Sequence, residues 1–387
     1  FRHMSGDLQK RFRELAKAEK VYVGGGFATQ NDLCALFTVR SAHLYLRSGG
    51  RFAFVLPMAV LTRGQFQPLR AGSFKSVRIA WDGAWTMDET VQPLFPVPSC
   101  AVFGRRRATA RLLPATVRAY SGALPFRDAP EEIADAWLKV AERSQAPSVG
   151  SFEGGSTYRK AFRQGATLVP RMLCVVERRP MGRLGPNPSA PLVASRRTNQ
   201  EKRPWKDLPG IENAVEAEFL CPILLGESIL PFGLVRPFEG VIPVTQTGDV
   251  LDGEAAANRG FNGLHGWMRK AEAVWAAHAE SGSMTLTGRW NYHKGLEVQF
   301  PIARLRVVYS ASGSRPAACV LRDERAVVEH TLYWMDPASE AEGRYLIAIL
   351  NSEAARARTV QYQARGQFGA RHFDKVMFNL PIPRFDA

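Results

Sequence analysis

No stretch of the 387-residue chain approaches the roughly 18 consecutive apolar residues of a membrane-spanning helix; the longest candidate, Phe52 to Met58, is broken by Pro57. No leader-like segment opens it, since Phe1-Arg2-His3-Met4 runs straight into a charged helical pattern. Both absences point to a cytoplasmic protein. Cysteine is scarce and odd in number: Cys34, Cys100, Cys174, Cys221 and Cys319 never fall at C-x-x-C spacing, and most sit in apolar text such as Met172-Leu173-Cys174-Val175-Val176. They read as buried small hydrophobes in a reducing compartment. The seven histidines form no H-x-x-x-H or Cys/His cluster, so no structural metal is expected.

Chemical motifs are missing as well. Gly24-Gly25-Gly26 lacks G-x-G-x-x-G spacing and has no Lys-Ser/Thr after it, which removes a nucleotide-cradling loop and leaves a turn. There is no G-x-S-x-G elbow, and no carboxylate pair stands out as an acid–base couple. Taken residue by residue, the chain shows no complete catalytic constellation.

Acid is in short supply too. Lys and Arg number 51 against 36 Asp and Glu, for a net charge of +15 and a pI near 9.9. Such a balance suits a polyanion, because each neutralised phosphate releases condensed counterions. The excess is concentrated: from Arg159 to Lys206 there are twelve Lys/Arg and two acids, Glu177 and Glu201. A local basic stretch favours nucleic acid over general basicity.

The remaining 45% hydrophobic, 22% charged composition is that of a globular protein with two or three cores. Ser5 to Lys20 reads as an amphipathic helix. Asn31-Asp32 starts a second that runs to about Arg47, and Gly49-Gly50 closes it. Arg51 to Pro57 is a continuous apolar run of strand length, which predicts a strand buried on both faces of a parallel sheet. Val77–Trp81 and Ser99–Phe103 are further strands, Gln65–Gly72 a short helix, and Arg105-Arg106-Arg107 closes the unit. Beyond residue 108 the texture changes. Pro130–Glu142, Gly263–Ala279 and Arg344–Arg358 read as helices. Arg111–Tyr120, Val298–Tyr309 and Ala317–Leu321 read as strands, and 150–210 as loop-rich.

Asn31-Asp-Leu-Cys-Ala-Leu-Phe37, a helix, Gly49-Gly50 and then Phe52-Ala-Phe-Val-Leu-Pro57 resemble the later half of a class I methyltransferase domain. The closest resemblance is to the gamma-type adenine-N6 DNA methyltransferases of restriction-modification and phage-defence systems. Leu94-Phe95-Pro96 before the Cys100–Phe103 strand resembles the family's late motif. Glu218–Gly226, Tyr345–Ser352, His372-Phe373-Asp374 and Leu380-Pro-Ile-Pro383 resemble its target-recognition domains. The family's glycine-rich cofactor motif and its catalytic Asn-Pro-Pro-Tyr/Trp motif have no counterpart here.

The resemblance therefore implies an α/β fold: the second half of a Rossmann-like methyltransferase sheet in residues 1–108, followed by a mixed α/β target-recognition domain in 109–387. It implies sequence-specific binding of double-stranded DNA within an enzyme that uses S-adenosylmethionine. This chain alone is expected to be inactive, with a separate N-terminal catalytic half as partner and a sheet edge open to dimerisation. Phe95 resembles the aromatic that stacks on an extruded adenine, although it also reads as a loop residue packed on the sheet. Phe37 resembles a residue against the cofactor's adenine, and equally fits an apolar helix face.

For DNA contact the candidates are Arg159, Lys160 and Arg163; then Arg196, Arg197, Lys202, Arg203 and Lys206 around Trp205; and Arg289, Tyr292 and Lys294 in the polar–aromatic cluster 288–294. For any one of them, solvated surface charge or a turn is the plainer reading. Trp267 and Trp275, eight apart, read as core. Two alternatives stay open: a non-catalytic DNA specificity subunit, against which the Phe52–Pro57 strand argues, and an RNA methyltransferase, which charge alone does not exclude.

Overall fold

The computed structural model describes residues 5–21, 33–62, 64–87, 91, 99–144, 156–180, 185, 187–198, 201–279, 284–313, 315–360, 377 and 380–386. Gly24–Gly26, Asn31-Asp32, Leu94-Phe95-Pro96 and His372-Phe373-Asp374 lie outside them. The fold is mixed α/β, and the chain forms two compact units: Phe1–Gly154 with Arg358–Asn379, and Gly155–Ala357 with Leu380–Ala387.

The first unit opens with helix α1 (Gly6–Glu19), which buries Phe12 and Ala16 and ends at Lys20 in the left-handed conformation. Helix α2 (Cys34–Tyr45) buries Ala35, Leu36, Val39 and Ala42. Strand β1 (Arg51–Pro57) follows, then short helices α3 (Ala59–Thr62) and α4 (Gln67–Ala71). Strands β2 (Arg78–Met87), β3 (Ser99–Arg107) and β4 (Thr116–Ser121), helix α5 (Glu131–Trp137) and strand β5 (Lys139–Ser144) complete it. The sheet order is β1-β3-β2-β4-β5. Strand β3 lies antiparallel between β1 and β2, so those two run parallel to each other; β4 joins the far side of β2 in parallel.

Three expectations are corrected here. Strand β1 is neither doubly buried nor in a parallel pair: among the described residues it pairs only with antiparallel β3, from Arg51 opposite Arg105 to Pro57 opposite Ser99. Its side chains alternate, with Phe52, Phe54 and Leu56 turned toward the core and Arg51, Ala53 and Val55 exposed. Apolar Ala53 and Val55 at outward positions hid that period of two in the sequence.

Arg105–Arg107 do not end the unit but belong to β3. Arg105 Nε pairs with Asp82 at 2.8 Å, and Arg106 Nη1 donates to the carbonyls of His43 and Leu46 at the C-terminus of α2. The boundary, too, falls after Gly154 rather than after residue 108. Strand β4 pairs with β2 through Trp85 opposite Arg118, the Trp85 and Tyr120 rings lie 5.5 Å apart, and β5 completes a hairpin on β4.

The second unit holds β6 (Arg163–Gln164), β7 (Val175–Arg178), β8 (Leu192–Ser195), β9 (Glu212–Ala214), β10 (Leu220–Leu224), β11 (Ile229–Leu230), β12 (Gly233–Leu234) and β13 (Phe238–Val241). Helices α6 (Gly253–Asn258), α7 (Asn262–His278) and α8 (Leu286–Trp290) come next. Strands β14 (Arg306–Ser310), β15 (Ala318–Leu321), β16 (Val327–Val328) and β17 (Leu332–Met335) and helix α9 (Glu340–Leu350) follow, and then α10 (Glu353–Val360), whose last three residues are counted with the first unit. A six-stranded sheet has the order β16-β10-β13-β7-β8-β9, and a four-stranded one β15-β14-β17-β6.

The larger core gathers Met172–Val176, Phe219, Leu264 and Trp290 around Trp267 of α7, whose Nε1 donates to the Leu173 carbonyl at 2.9 Å. The strand expected at 298–309 shortens to β14, preceded by a turn. The helix expected at 344–358 divides at Asn351, which caps α9 and exchanges amide bonds with the backbone of Ala318.

Candidate nucleic-acid interface

Strands β13, β7 and β8 lie side by side, antiparallel at each step, in the six-stranded sheet. Beyond the end of β8, the adjacent Arg196 and Arg197 turn to opposite sides, as successive residues of an extended chain must. Arg196 enters a cleft of about 590 Å³ with Arg178, Arg236, Phe238 and Glu239. Arg197 lines a second of about 280 Å³ with Arg179, Ser195 and Glu212. Each cleft is thus lined by arginines from more than one segment of the chain.

Their charges are not equally available. Arg178 is held by Glu239 through three hydrogen bonds of 2.7–3.2 Å, and that carboxylate raises its pKa above the ordinary guanidinium value. Arg179 pairs with Glu177 at 3.0 Å. The guanidinium of Arg196 instead lies over Phe238, its Cζ 4.7 Å from the ring centroid. Arg236 is exposed, and neither it nor Arg196 forms an ion pair among the described residues. Arg197 donates to the Leu208 carbonyl. The first cleft therefore has two free guanidinium groups beside one that is already neutralised.

The basic stretch of the sequence is accordingly not one patch in space. Arg171 is buried against Glu329, Arg203 pairs with Asp207 at 2.9 Å, and Arg178 and Arg179 are matched as above. Lys202, Arg203 and Lys206 are exposed around a single 3-10 turn, Trp205–Asp207. One face of Trp205 is taken by Trp275 of α7, which stacks on it with centroids 5.7 Å apart. Arg159 and Lys160 are exposed on a turn. Arg163 lies on β6, 5.6 Å over Trp334.

The 288–294 cluster is the last turn of α8 and the 3-10 turn that follows it. Arg289 sits 6.0 Å from the Tyr292 ring, and Lys294 pairs with Glu297 at 3.0 Å. Asn291 faces its own backbone: Oδ1 accepts from Leu296 and Glu297 N–H, and Nδ2 donates to Glu297. In the first unit Phe37 is 58% exposed, its ring edge-on to Phe54 at 5.5 Å. Phe95 lies outside the described residues.

Sequence reading missed Arg236, Phe238 and Glu239. Arg178 and Arg179 were counted in the basic stretch without being singled out, whereas Arg236 stands thirty residues beyond it, with Pro237-Phe238 as the only local hint of an aromatic platform. Among the described residues no His/Cys/Asp/Glu group could hold a metal, and no helix is long and apolar enough to cross a membrane.

No protein-family model matches the chain, and no curated protein does. Solved structures do. One is the Type IIL restriction-modification enzyme MmeI in complex with DNA, at 12% identity over 94% of this chain and 43% of that one, with a TM-score of 0.49. Another is the type IIG restriction endonuclease BpuSI, at 12% identity over 98% and 45%, with a TM-score of 0.30. The DrdV–DNA complex matches at 10% identity over 96% and 40%, with a TM-score of 0.40. The chain spans less than half the length of each of them.

Proposed function

We propose that this chain is the DNA-recognising part of an S-adenosylmethionine-dependent adenine-N6 DNA methyltransferase of a restriction-modification system. The observation that carries DNA binding is the cleft in which unpaired Arg196 and Arg236 stand beside Phe238. A guanidinium held over a ring keeps N–H donors for phosphate or for the acceptors of a guanine, and costs little further ordering on contact. Arg197, on the other side of the same strand, extends the basic surface. Lys202, Lys206, Arg159, Lys160 and Arg163 act as phosphate contacts that set register.

The methyltransferase part of the reading rests on the sequence resemblance and on the first unit's sheet, where one edge presents β1 and the exposed Phe37. Of the contacts that S-adenosylmethionine requires, the described residues supply an aromatic face. Phe37, braced by Phe54, suits one side of the cofactor's adenine. When bound, the cofactor provides the methyl group. This chain's part is to hold DNA, to wall the adenine with Phe37, and to stack Phe95 on an extruded base. The purified chain alone is expected not to methylate.

The test is duplex DNA binding across a salt series, against duplex RNA of matched length. The expected result is DNA binding that falls steeply with salt and selects one short sequence. Binding to neither duplex, or equal binding to RNA, overturns the reading.

A further inference from the structure

The turn after α8 has a construction that a solvated surface loop does not need. His293 and Lys294, with φ of 53° and 62°, are consecutive non-glycine residues in the left-handed region. That conformation is costly for a side chain bearing Cβ, and it persists only where the surroundings impose it. Here they do. Trp290 on one flank and Leu296 on the other are fully buried, Asn291 clamps the turn from within, and Gln299 Nε2 donates to the carbonyls of Gly295 and Val328 at 2.9 Å each. Four residues project from this pedestal. Tyr292 is 43% exposed, its ring 4.1 Å from that of His293, with Arg289 and Lys294 as flanking cations.

An aromatic ring left this exposed on a braced turn has little to stack on in an intact duplex, where neighbouring bases cover one another. It finds a partner where a base has lost its stack. We propose that the 291–294 turn is a base-stacking finger, with Tyr292, backed by His293, stacking on an unpaired or unstacked base while Arg289 and Lys294 meet the adjoining phosphates. This rests on the DNA-recognition reading and adds the DNA feature that the turn selects.

The experiment compares binding of the full chain to a fully paired duplex and to the same duplex carrying one unpaired adenine. Wild type is expected to prefer the second by about fivefold or more, the low end of one base–aromatic stack. Tyr292→Ala is expected to bring the ratio to within about twofold of unity, and Tyr292→Phe, which keeps the ring, to retain it. Equal wild-type binding to the two probes overturns the finger while leaving DNA recognition intact. So does a preference that survives in Tyr292→Ala. Binding to neither probe overturns both. A lost preference in Tyr292→Phe also overturns the stacking role, since the phenolic hydroxyl would then be what matters.

Discussion

Arg171 Nη2 donates to Glu329 Oε1 at 3.3 Å in the interior of the second unit, where Glu329 has no accessible surface. The carboxylate also lies 2.5 Å from His330 Nδ1, and its other oxygen accepts from the backbone N–H and hydroxyl of Thr331. Glu329 directly follows β16 of the six-stranded sheet, and Thr331 directly precedes β17 of the four-stranded one. The ion pair therefore holds the crossing from one sheet to the other.

Removing one member of a buried pair leaves an uncompensated charge. Arg171→Leu is expected to destabilise the chain by about 3–5 kcal/mol, read from urea denaturation. Burial alone would raise the Glu329 pKa; His330, Arg171 and Thr331 outweigh it and hold the carboxyl below its ordinary 4.5. With the folded value below the unfolded one, the unfolded chain binds more protons as acid is added. The contribution is thus complete above the unfolded pKa and is lost as pH falls through the folded value. Denaturation midpoints are expected to drop more steeply for wild type than for Glu329→Gln as pH falls below 4.5, and to run parallel above it. Equal slopes would mean that Glu329 is not the group responsible.

The cleft that holds Arg196 contains an internal brake on its own charge. Glu239 neutralises Arg178 in the same cleft as the guanidinium groups of Arg196 and Arg236. Glu239→Gln removes a negative charge and releases a positive one, so DNA affinity is expected to rise several-fold at low ionic strength, with a steeper salt dependence. Arg236→Ala is expected to act in the opposite direction, weakening binding and lowering the magnitude of the salt slope by about 1. Filter-binding or anisotropy titrations at several salt concentrations separate the two. Unchanged slopes in both variants would place DNA elsewhere.

The fate of Arg171 shows what the sequence could and could not disclose. Within a run of twelve basic residues it looks like one more phosphate ligand. Its partner lies 158 positions away, and nothing local announces that it is interior. Arg178 and Glu239, 61 apart, repeat the case. Helix α7 was legible because its 3.6-residue pattern is a local property: Leu264, Trp267, Met268 and Ala271 face the core as their spacing requires. The edge position of β1 was not, because strand order is decided by pairing between distant segments, and outward Ala53 and Val55 concealed the alternation. In the candidate interface, Arg196 and Arg197 were singled out by their charge. Arg236 was not, because it reaches the cleft of Arg196 only through the pairing of β13 with β7.

The left-handed pair at 293–294 has a measurable cost. Glycine adopts that conformation without a Cβ clash, although it adds entropy to the unfolded chain, so the two effects partly offset. Lys294→Gly is expected to stabilise the chain by about 0.5–1 kcal/mol in urea denaturation, the clash outweighing the added entropy. A loss of stability would show that the native turn is not strained, and would remove the structural ground for a special role of the loop.

The first unit leaves apolar side chains exposed on both sides of one sheet edge. Leu33, Phe37, Leu44 and Tyr45, the last 81% exposed, lie on or beside α2, on the Phe54 side of the sheet, and Val55, 54% exposed, lies on the opposite face of β1, whose outer backbone edge has no partner among the described residues. An apolar helix face beside an unpaired strand satisfies two requirements of association at once, burying carbon surface and pairing N–H with C=O groups. The purified chain is accordingly expected to self-associate with rising concentration, and Val55→Lys combined with Phe37→Arg to suppress it, as charged side chains do at exposed sheet edges. Light scattering or sedimentation over a concentration series reads this directly. If wild type stays monomeric throughout, this edge is not an association surface.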